Sequence, residues 1–242
     1  MITLKEQMLK GEAPTEETLK EYRENEYFFY YPPIFGNEMR IACNMEEYTR
    51  IVDAEDRRLY LYDTLTPLGD CDHSYDFSST AGKLVEQIIE YNRMDRGLPV
   101  SEREPIRLYI NSPGGDQTEG FSLVDTIKLS KTPVYTINTG QWSSMSFLIG
   151  ITGHRRFSYS SATFLLHDGS SGAFGSVNKV QDRVKFEERY EQEIVKNHVL
   201  DHSNMTSSEY DALARVEYYM LPDDALRRGF IDEIVKDIDT IL

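Results

Sequence analysis

The segment IRLYINSPGG, residues 106–115, contains the signals from which the architecture is best inferred. Its first residues are rich in β-branched and aromatic side chains, which favours a strand, and the Pro-Gly-Gly sequence ends that strand in a turn. Apolar residues at near-helical spacing follow in TEGFSLVDTIKLS, residues 118–130, and TPVYTINTG, residues 132–140, has the composition of a second strand. This order of strand, turn, helix and strand predicts an α/β fold.

The alternation of strands and helices extends to both sides of this segment. RRLYLYD, residues 57–63, alternates as a strand does, and residues 78–80 are candidate caps for a helix over AGKLVEQIIEYNRM, residues 81–94. ATFLLH, residues 162–167, is predicted as a further strand that ends in a histidine. We therefore expect an α/β core.

The C-terminal third is predicted to be mostly helical. A long helix is expected over residues 176–200, and Thr206 with Glu209 forms a capping box that opens a short helix. PDDALRRGFIDEIV, residues 222–235, predicts a last helix and a closing strand. The long helix has an apolar stripe of Val177, Val180, Val184, Tyr190 and Ile194.

Length and composition predict one main domain. The 242 residues can build one well-buried core, or one domain with an appendage. Residues 1–36 are charged and then aromatic, ending in EYFFYYPPIFG, and we expect them to form an N-terminal extension to a domain over residues 37–242. The aromatic run is expected to dock on the core of the same chain or to contact another subunit.

Charge and cysteine content narrow the function classes. The net charge of -15 argues against nucleic acid or an anionic membrane as the main partner. No apolar stretch is long enough for a membrane span, and the N-terminus lacks a signal-peptide pattern, so the cytoplasm is the expected location. Cys43 and Cys71 are too few for a disulfide framework and lack metal-site spacing, so we expect free thiols.

Three chemically suggestive features fall at the carboxyl ends of predicted strands, where α/β sheets place their sites. They are the Gly114-Gly115 turn, the Ser143-Ser144 pair at a helix start, and His167. Histidine is the usual base for a serine nucleophile, and glycines present unobstructed N–H groups to an oxyanion. Each feature alone also has an ordinary interpretation as a helix cap, a turn or a structural histidine.

Together these motifs resemble a known family. YINSPGG, then G-x-x-x-SM-x-FL, then an apolar strand ending in His, a long helix and DDALRRGFIDEIV are similar to the proteolytic subunit of the Clp protease, ClpP. The resemblance covers roughly residues 57–235. It implies the crotonase-like ββα superhelix of ClpP, an α/β fold, with a serine endopeptidase site.

The resemblance also implies a role for individual residues. Ser144 would be the nucleophile, His167 the general base, and the N–H groups of Gly115 and Met145 the oxyanion hole. Ser143 would be a packing residue. An acyl-enzyme would form and be hydrolysed by water, and no metal or organic cofactor is implied.

Partners follow from the same resemblance. Family members assemble as stacked heptameric rings, a tetradecamer with its sites inside a chamber, and a hexameric AAA+ ATPase feeds unfolded polypeptides to that chamber. The long helix resembles the one that joins the two rings, although an amphipathic helix on the core of its own chain is the simpler interpretation. Neither nucleic acid nor a membrane is expected as a partner.

The third member of a catalytic triad is left open. Two anchors, the capping box and the glycine of the C-terminal motif, place the family's aspartate at Leu213, which cannot orient an imidazole. Asp211 and Glu217 are the nearest carboxylates, and Asp168 is expected to point to the opposite face of its strand. A catalytically impaired or inactive subunit of a mixed ring is therefore the alternative function.

Other departures from the family pattern concern shape. HDGSSGAFG replaces the usual HQP after the histidine, Ser146 stands where Gly or Ala is usual, and the loops at residues 66–80 and 96–104 are longer. These loops leave room for a phage-type head-maturation protease on the same fold. A crotonase-type acyl-CoA enzyme is disfavoured, because the Ser–Met–His arrangement does not serve its chemistry.

Overall fold

A computed structural model describes residues 29–31, 40–42, 56–66 and 80–242 of the chain. The chain divides into two units, residues 1–58 and 59–242. In the first unit, β1 (Phe29–Tyr31) and β2 (Arg40–Ala42) pair antiparallel. The expected boundary at residue 37, the candidate caps at residues 78 and 79, and both cysteines lie outside the described residues.

Among the described residues, seven strands form a second sheet. They are β3 (Arg58–Leu61), β4 (Ile106–Ser112), β5 (Val134–Ser143), β6 (Arg155–Ser158), β7 (Thr163–Leu166), β8 (Tyr218–Met220) and β9 (Glu233–Ile234). The order is β3-β4-β5-β6-β9, with β7 paired to β5 and β8 paired to β7. The sheet is mixed: β4, β6 and β7 run parallel to β5, whereas β8 runs antiparallel to β7.

The strand β5 brings the candidate residues together because it is shared between two neighbours. Its first half pairs with β6, from Tyr135 to Asn138, and its second half pairs with β7, where Ser143 lies opposite Leu165. The carboxyl ends of β5 and β7 are therefore adjacent. The segments that follow these two ends contain the candidate serine and the candidate histidine.

The helices confirm most of the sequence predictions. They are α1 (Thr80–Met94), α2 (Gln117–Leu129), α3 (Met145–Gly150), α4 (Val177–Tyr190), α5 (Lys196–Asp201), α6 (Ser207–Leu213) and α7 (Pro222–Arg227), with a π-helical segment, Glu191–Val195, between α4 and α5. Asp116 caps α2 by accepting a hydrogen bond from the Glu119 N–H, and the predicted capping box at Thr206 is present. No helix among the described residues is long and apolar enough to cross a membrane.

The main core lies between the sheet and the helices α1, α2 and α3. Trp142 of β5 is fully buried and packs its ring edge-on against Phe164 of β7, with centroids 5.5 Å apart. Phe147 of α3 makes a similar contact with Phe230, at 4.9 Å. Burial of each large side chain stabilises the fold by roughly 1.5–3 kcal/mol, so the core fixes α3 and the end of β5 firmly.

The strand β6 is not predicted from the sequence, because it begins with two arginines. Arg155 forms an ion pair with Glu233 at 3.3 Å, and Arg156 forms one with Asp232 at 2.6 Å. Arg156 also donates to the carbonyl of Gly229 at 2.8 Å. The acidic partners come from the C-terminal segment, so the charges that hide this strand in the sequence are paired in the fold.

The helix α4 contacts the core of its own chain at its C-terminal end, where the Tyr190 ring packs edge-on against Phe121 of α2 with centroids 5.7 Å apart. None of its residues is buried, and Val177, in the predicted apolar stripe, exposes 71% of its surface. The first fully buried residue of this stretch is Val195, beyond α4. The interpretation as an amphipathic helix on its own core therefore fits the C-terminal part of the stretch, from Tyr190 onward, and the first turns of α4 are exposed.

Candidate active site

Ser144 occupies a strained turn between β5 and α3. Its backbone has φ 57° and ψ −127°, a conformation that non-glycine residues rarely adopt. Its N–H donates to the Leu165 carbonyl at 3.0 Å, and its carbonyl accepts from the Phe147 N–H at 3.0 Å. Backbone strain persists where the surroundings impose it, and a sharp strand-to-helix turn is how many hydrolases present a nucleophilic serine.

The glycine turn lies directly against this strained turn. Gly114 and Gly115 have φ of +95° and +136°. A Cβ on Gly114 would lie 2.6 Å from the Ser143 carbonyl oxygen and 2.8 Å from the Met145 nitrogen. Only glycine lets the backbone at residue 114 come this close to the backbone of residues 143–145. The glycine turn and the serine turn are therefore adjacent in the structure, as predicted.

Leu65 holds the glycine turn from its other side. Its N–H donates to the Gly114 carbonyl and its carbonyl accepts from the Asp116 N–H, both at 2.8 Å. A Cβ on Gly115 would lie 2.2 Å from the Leu65 carbonyl oxygen. This contact is not predicted from the sequence, because nothing local to Leu65 signals a partner about 50 residues further along the chain.

Two backbone donors remain available beside Ser144. Among the described residues, neither the Gly115 N–H nor the Met145 N–H donates a hydrogen bond. Met145 is the first residue of α3, where helical N–H groups lack intrahelical partners. Free N–H groups of this kind can stabilise an oxyanion formed at the serine.

His167 directly follows β7, on the strand that neighbours the end of β5. Its ring is half-buried, and its Nε2 is buried with no hydrogen-bond partner among the described residues. The hydrogen bond between the Ser144 hydroxyl and the His167 imidazole is therefore not formed in this structure. Such bonds are often long before substrate binds and shorten in the complex.

Sheet pairing places one carboxylate opposite His167. The strands β7 and β8 are antiparallel, with Leu166 opposite Tyr218. Continuing that register by one residue sets Glu217 opposite His167. The Glu217 side chain is exposed and accepts a hydrogen bond from the Tyr219 hydroxyl at 3.0 Å.

The other residues weighed for this role lie elsewhere. Leu213 ends α6 and packs against the core, and Asp211 forms an ion pair with Lys196 at 2.5 Å. Asp168 is exposed, and its charge acts on Glu191, whose carboxyl pKa is raised by burial and further by this neighbouring charge. In the described part of the chain, no carboxylate is hydrogen-bonded to His167.

A buried histidine packs against the far end of α3. His198 Nε2 lies 2.9 Å from the Leu148 carbonyl oxygen and 3.2 Å from the Thr152 hydroxyl, and its Nδ1 is buried without a partner among the described residues. Burial lowers the pKa of His198 to about 3, and the positive charges of His202 and Lys128 act in the same direction. The neutral imidazole is thus the form that the fold accommodates.

We expect the free energy of unfolding to fall as the pH drops from 6.5 towards 3. The unfolded chain binds a proton at His198 near pH 6.5, whereas the folded chain does so only near pH 3. Between these values the proton favours the unfolded chain, by at most about 1.4 kcal/mol per pH unit. Urea unfolding of His198→Gln should give a flatter pH dependence than the wild type.

The exposed His154 supplies a matched control for this prediction. His154→Gln should keep the wild-type slope of stability against pH. The half-buried His202 also has a lowered pKa, caused mainly by burial, so some slope should survive in His198→Gln. Identical slopes in the wild type and His198→Gln would show that His198 is not the group that titrates.

The fold is α/β, and the ends of β5 and β7 bring together a serine at a strained strand-to-helix turn, two N–H groups without a partner among the described residues, and a neighbouring histidine, an arrangement compatible with serine-hydrolase chemistry. A family model described as Clp protease matches residues 84–237. The match spans more than half of the chain and includes Gly115, Ser144 and His167. The chain belongs to the Clp protease family, which confirms the resemblance and the α/β fold inferred from the sequence motifs.

Proposed function

We propose that this chain is a serine endopeptidase of the ClpP type, which hydrolyses peptide bonds of unfolded proteins. The observation that carries this proposal is the strained backbone of Ser144, held beside the free N–H groups of Gly115 and Met145. Membership of the Clp protease family supports a peptidase of this kind. A location in the cytoplasm stays a prediction from the sequence.

The reaction uses the side chains and N–H groups at the two strand ends. The Ser144 hydroxyl oxygen attacks the peptide carbonyl carbon, which becomes tetrahedral while its C–N bond is still intact, and His167 takes the hydroxyl proton. The Gly115 and Met145 N–H groups hold the oxyanion. His167 returns the proton to the leaving amine, and water hydrolyses the acyl-enzyme by the same steps.

Glu217 is the carboxylate that we assign to orient His167 in this reaction. Its support is the register of β7 and β8, which, continued one residue beyond the pair of Leu166 and Tyr218, puts Glu217 opposite His167. A carboxylate there would hold the imidazole in the tautomer that presents Nε2 to Ser144. The exposed Glu217 side chain would have to leave the Tyr219 hydroxyl to do so.

Glu217→Gln should lower kcat/KM by about a hundredfold or more, within the roughly 10⁴-fold loss known for an orienting aspartate. The amide keeps the size of the side chain but lacks the negative charge that stabilises the imidazolium. Asp211→Asn is the matched control, because Asp211 pairs with Lys196. Equal peptidase rates for both variants would indicate a Ser–His dyad or another orienting residue.

Assembly into stacked heptameric rings is part of the proposal, with a Clp-type AAA+ ATPase as partner. The support is family membership together with α4, whose apolar side chains Val177, Val184 and Phe186 are exposed in the single chain. A second copy of this chain would cover that helix. Native mass spectrometry of the purified protein would report the number of subunits.

An inactive subunit of a mixed ring is the second candidate function. It is favoured by the unpaired Nε2 of His167 and by the lack of a carboxylate bonded to His167 among the described residues. The same features would also describe a site that is completed on substrate binding. Reactivity at Ser144 separates the two candidates.

Labelling with a fluorophosphonate probe tests the proposal. The probe forms a covalent adduct only with a serine activated as a nucleophile. Intact mass and peptide mapping should show one adduct, located on Ser144. No adduct on correctly folded, assembled protein would support the inactive subunit instead.

A further inference from the structure

The fully buried hydroxyl of Ser146 joins two chain segments beside the nucleophile. Its oxygen lies 2.6 Å from the Ser112 carbonyl oxygen and 2.8 Å from the Ser143 carbonyl oxygen, and it accepts a hydrogen bond from the Ser143 N–H at 2.8 Å. A hydroxyl has one hydrogen to donate. The shorter contact assigns that hydrogen to the Ser112 carbonyl.

The two joined segments lead to the two halves of the oxyanion hole. Ser112 ends β4 and precedes the turn that contains Gly115, whereas Ser143 ends β5 and precedes Ser144 and Met145. The Ser146 hydroxyl therefore links the end of β4, which precedes the Gly115 N–H, to the end of β5, which precedes the Met145 N–H.

The sheet holds these two strand ends through a single residue pair that follows an irregularity. The pairing of β4 with β5 is regular up to Ile110 opposite Asn138, and its register then shifts before Ser112 pairs with Trp142. A shift of this kind interrupts the ladder of hydrogen bonds between two strands. The end of β4 thus rejoins the ladder only at Ser112, and the Ser146 hydroxyl adds a bond to the same residue.

We propose that Ser146 is a positioning residue, which sets the separation of the Gly115 and Met145 N–H groups through its bonds to Ser112 and Ser143. This inference rests on the proposed peptidase function. The Clp protease family usually has Gly or Ala at this position. Neither residue has a hydroxyl, so this pair of hydrogen bonds is a departure from the usual family pattern. Asp63 adds a second tie, because its carbonyl accepts from the Ser112 hydroxyl at 2.6 Å.

The expected effect is on catalysis and not on substrate binding. The oxyanion forms only as the transition state is approached, so a misplaced N–H donor lowers kcat and leaves KM largely unchanged. Ser146→Ala should lower kcat by about tenfold, less than the roughly hundredfold loss of a 1 Å misplacement, because the other tie to Ser112 remains. The affinity for a peptide boronate, whose tetrahedral adduct also occupies the oxyanion hole, should fall by a similar factor.

Ser203→Ala is the matched control for this variant. The Ser203 hydroxyl likewise donates to a carbonyl, that of Val199 at 2.7 Å, and accepts from an N–H, that of Met205 at 3.2 Å. Both variants lose one hydroxyl with two hydrogen bonds, but Ser203 lies far along the chain from the oxyanion hole. Kinetics should be measured well below the melting temperatures of both variants.

The outcomes separate this inference from the proposed function. A wild type that neither labels nor hydrolyses peptides overturns the peptidase proposal, and this inference with it. An active wild type with equal kcat in Ser146→Ala and Ser203→Ala overturns this inference alone, and so does a lower kcat with unchanged boronate affinity. If Ser146→Ala fails to assemble, Ser146→Cys, a weaker donor, should give a reduced kcat, and a wild-type kcat in that variant would contradict the inference.

Discussion

Ser144→Ala should lower kcat/KM for a peptide substrate by roughly 10⁵-fold or more, the scale on which removal of a nucleophilic serine acts in serine proteases. The variant keeps the Gly115 and Met145 N–H groups but has no atom that can form the acyl-enzyme. The residual rate would be that of water attack assisted by the oxyanion hole. The fluorophosphonate adduct should disappear as well, which can be read by intact mass.

Two controls test whether the loss of activity in Ser144→Ala comes from the missing hydroxyl. The variant should assemble like the wild type, because Ser144 contributes backbone hydrogen bonds to Leu165 and Phe147 that alanine retains. Ser161→Ala, at an exposed serine in the turn before β7, should hydrolyse and label like the wild type. Persistent labelling of Ser144→Ala at another serine would show that the nucleophile has been misassigned.

His167→Ala should lower kcat/KM by a similar factor, roughly 10⁴-fold or more, because serine and histidine act as one unit in such sites. Without the imidazole, no group beside Ser144 takes its proton as the carbonyl is attacked. The rate of fluorophosphonate labelling should fall in parallel, since that reaction also needs an activated hydroxyl. This rate can be measured by quenching the labelling reaction at a series of times and quantifying the adduct by mass spectrometry.

His154→Gln is the control for the loss of a histidine. His154 is exposed, and its Nδ1 accepts a hydrogen bond from the Val134 N–H at the start of β5, at the other end of the strand from Ser144. Its peptidase and labelling rates should match the wild type. Wild-type labelling in His167→Ala would mean that a different base activates Ser144.

The positions of the main candidates could be predicted from the sequence, because each follows a strand and its chemistry is local. Gly114 and Gly115 end a β-rich run, Ser144 opens an apolar helix, and His167 ends an apolar strand. Adjacency follows from the parallel sheet, in which the carboxyl ends of neighbouring strands meet. Sequence patterns therefore predict approximately where these residues lie in the fold.

The features that could not be predicted from the sequence depend on contacts between segments that are distant in the chain. Chain spacing put the family's aspartate at Leu213 and left Asp211 and Glu217 open, whereas the register of β7 and β8, continued by one residue, favours Glu217. Likewise, β6 is hidden by Arg155 and Arg156, whose acidic partners lie more than 70 residues away in the chain. Register and ion pairing of this kind arise only when the strands come together.

The exposure of α4 has a thermodynamic consequence for the chain as a whole. A helix of 14 residues with no buried side chain is only marginally stable in water, and its ion pair between Arg183 and Glu187 adds only a few tenths of a kcal/mol. If other copies cover this helix, part of the free energy that keeps it folded comes from association. Folding and assembly are then linked by mass action, so dilution alone would lower the melting temperature of this protein.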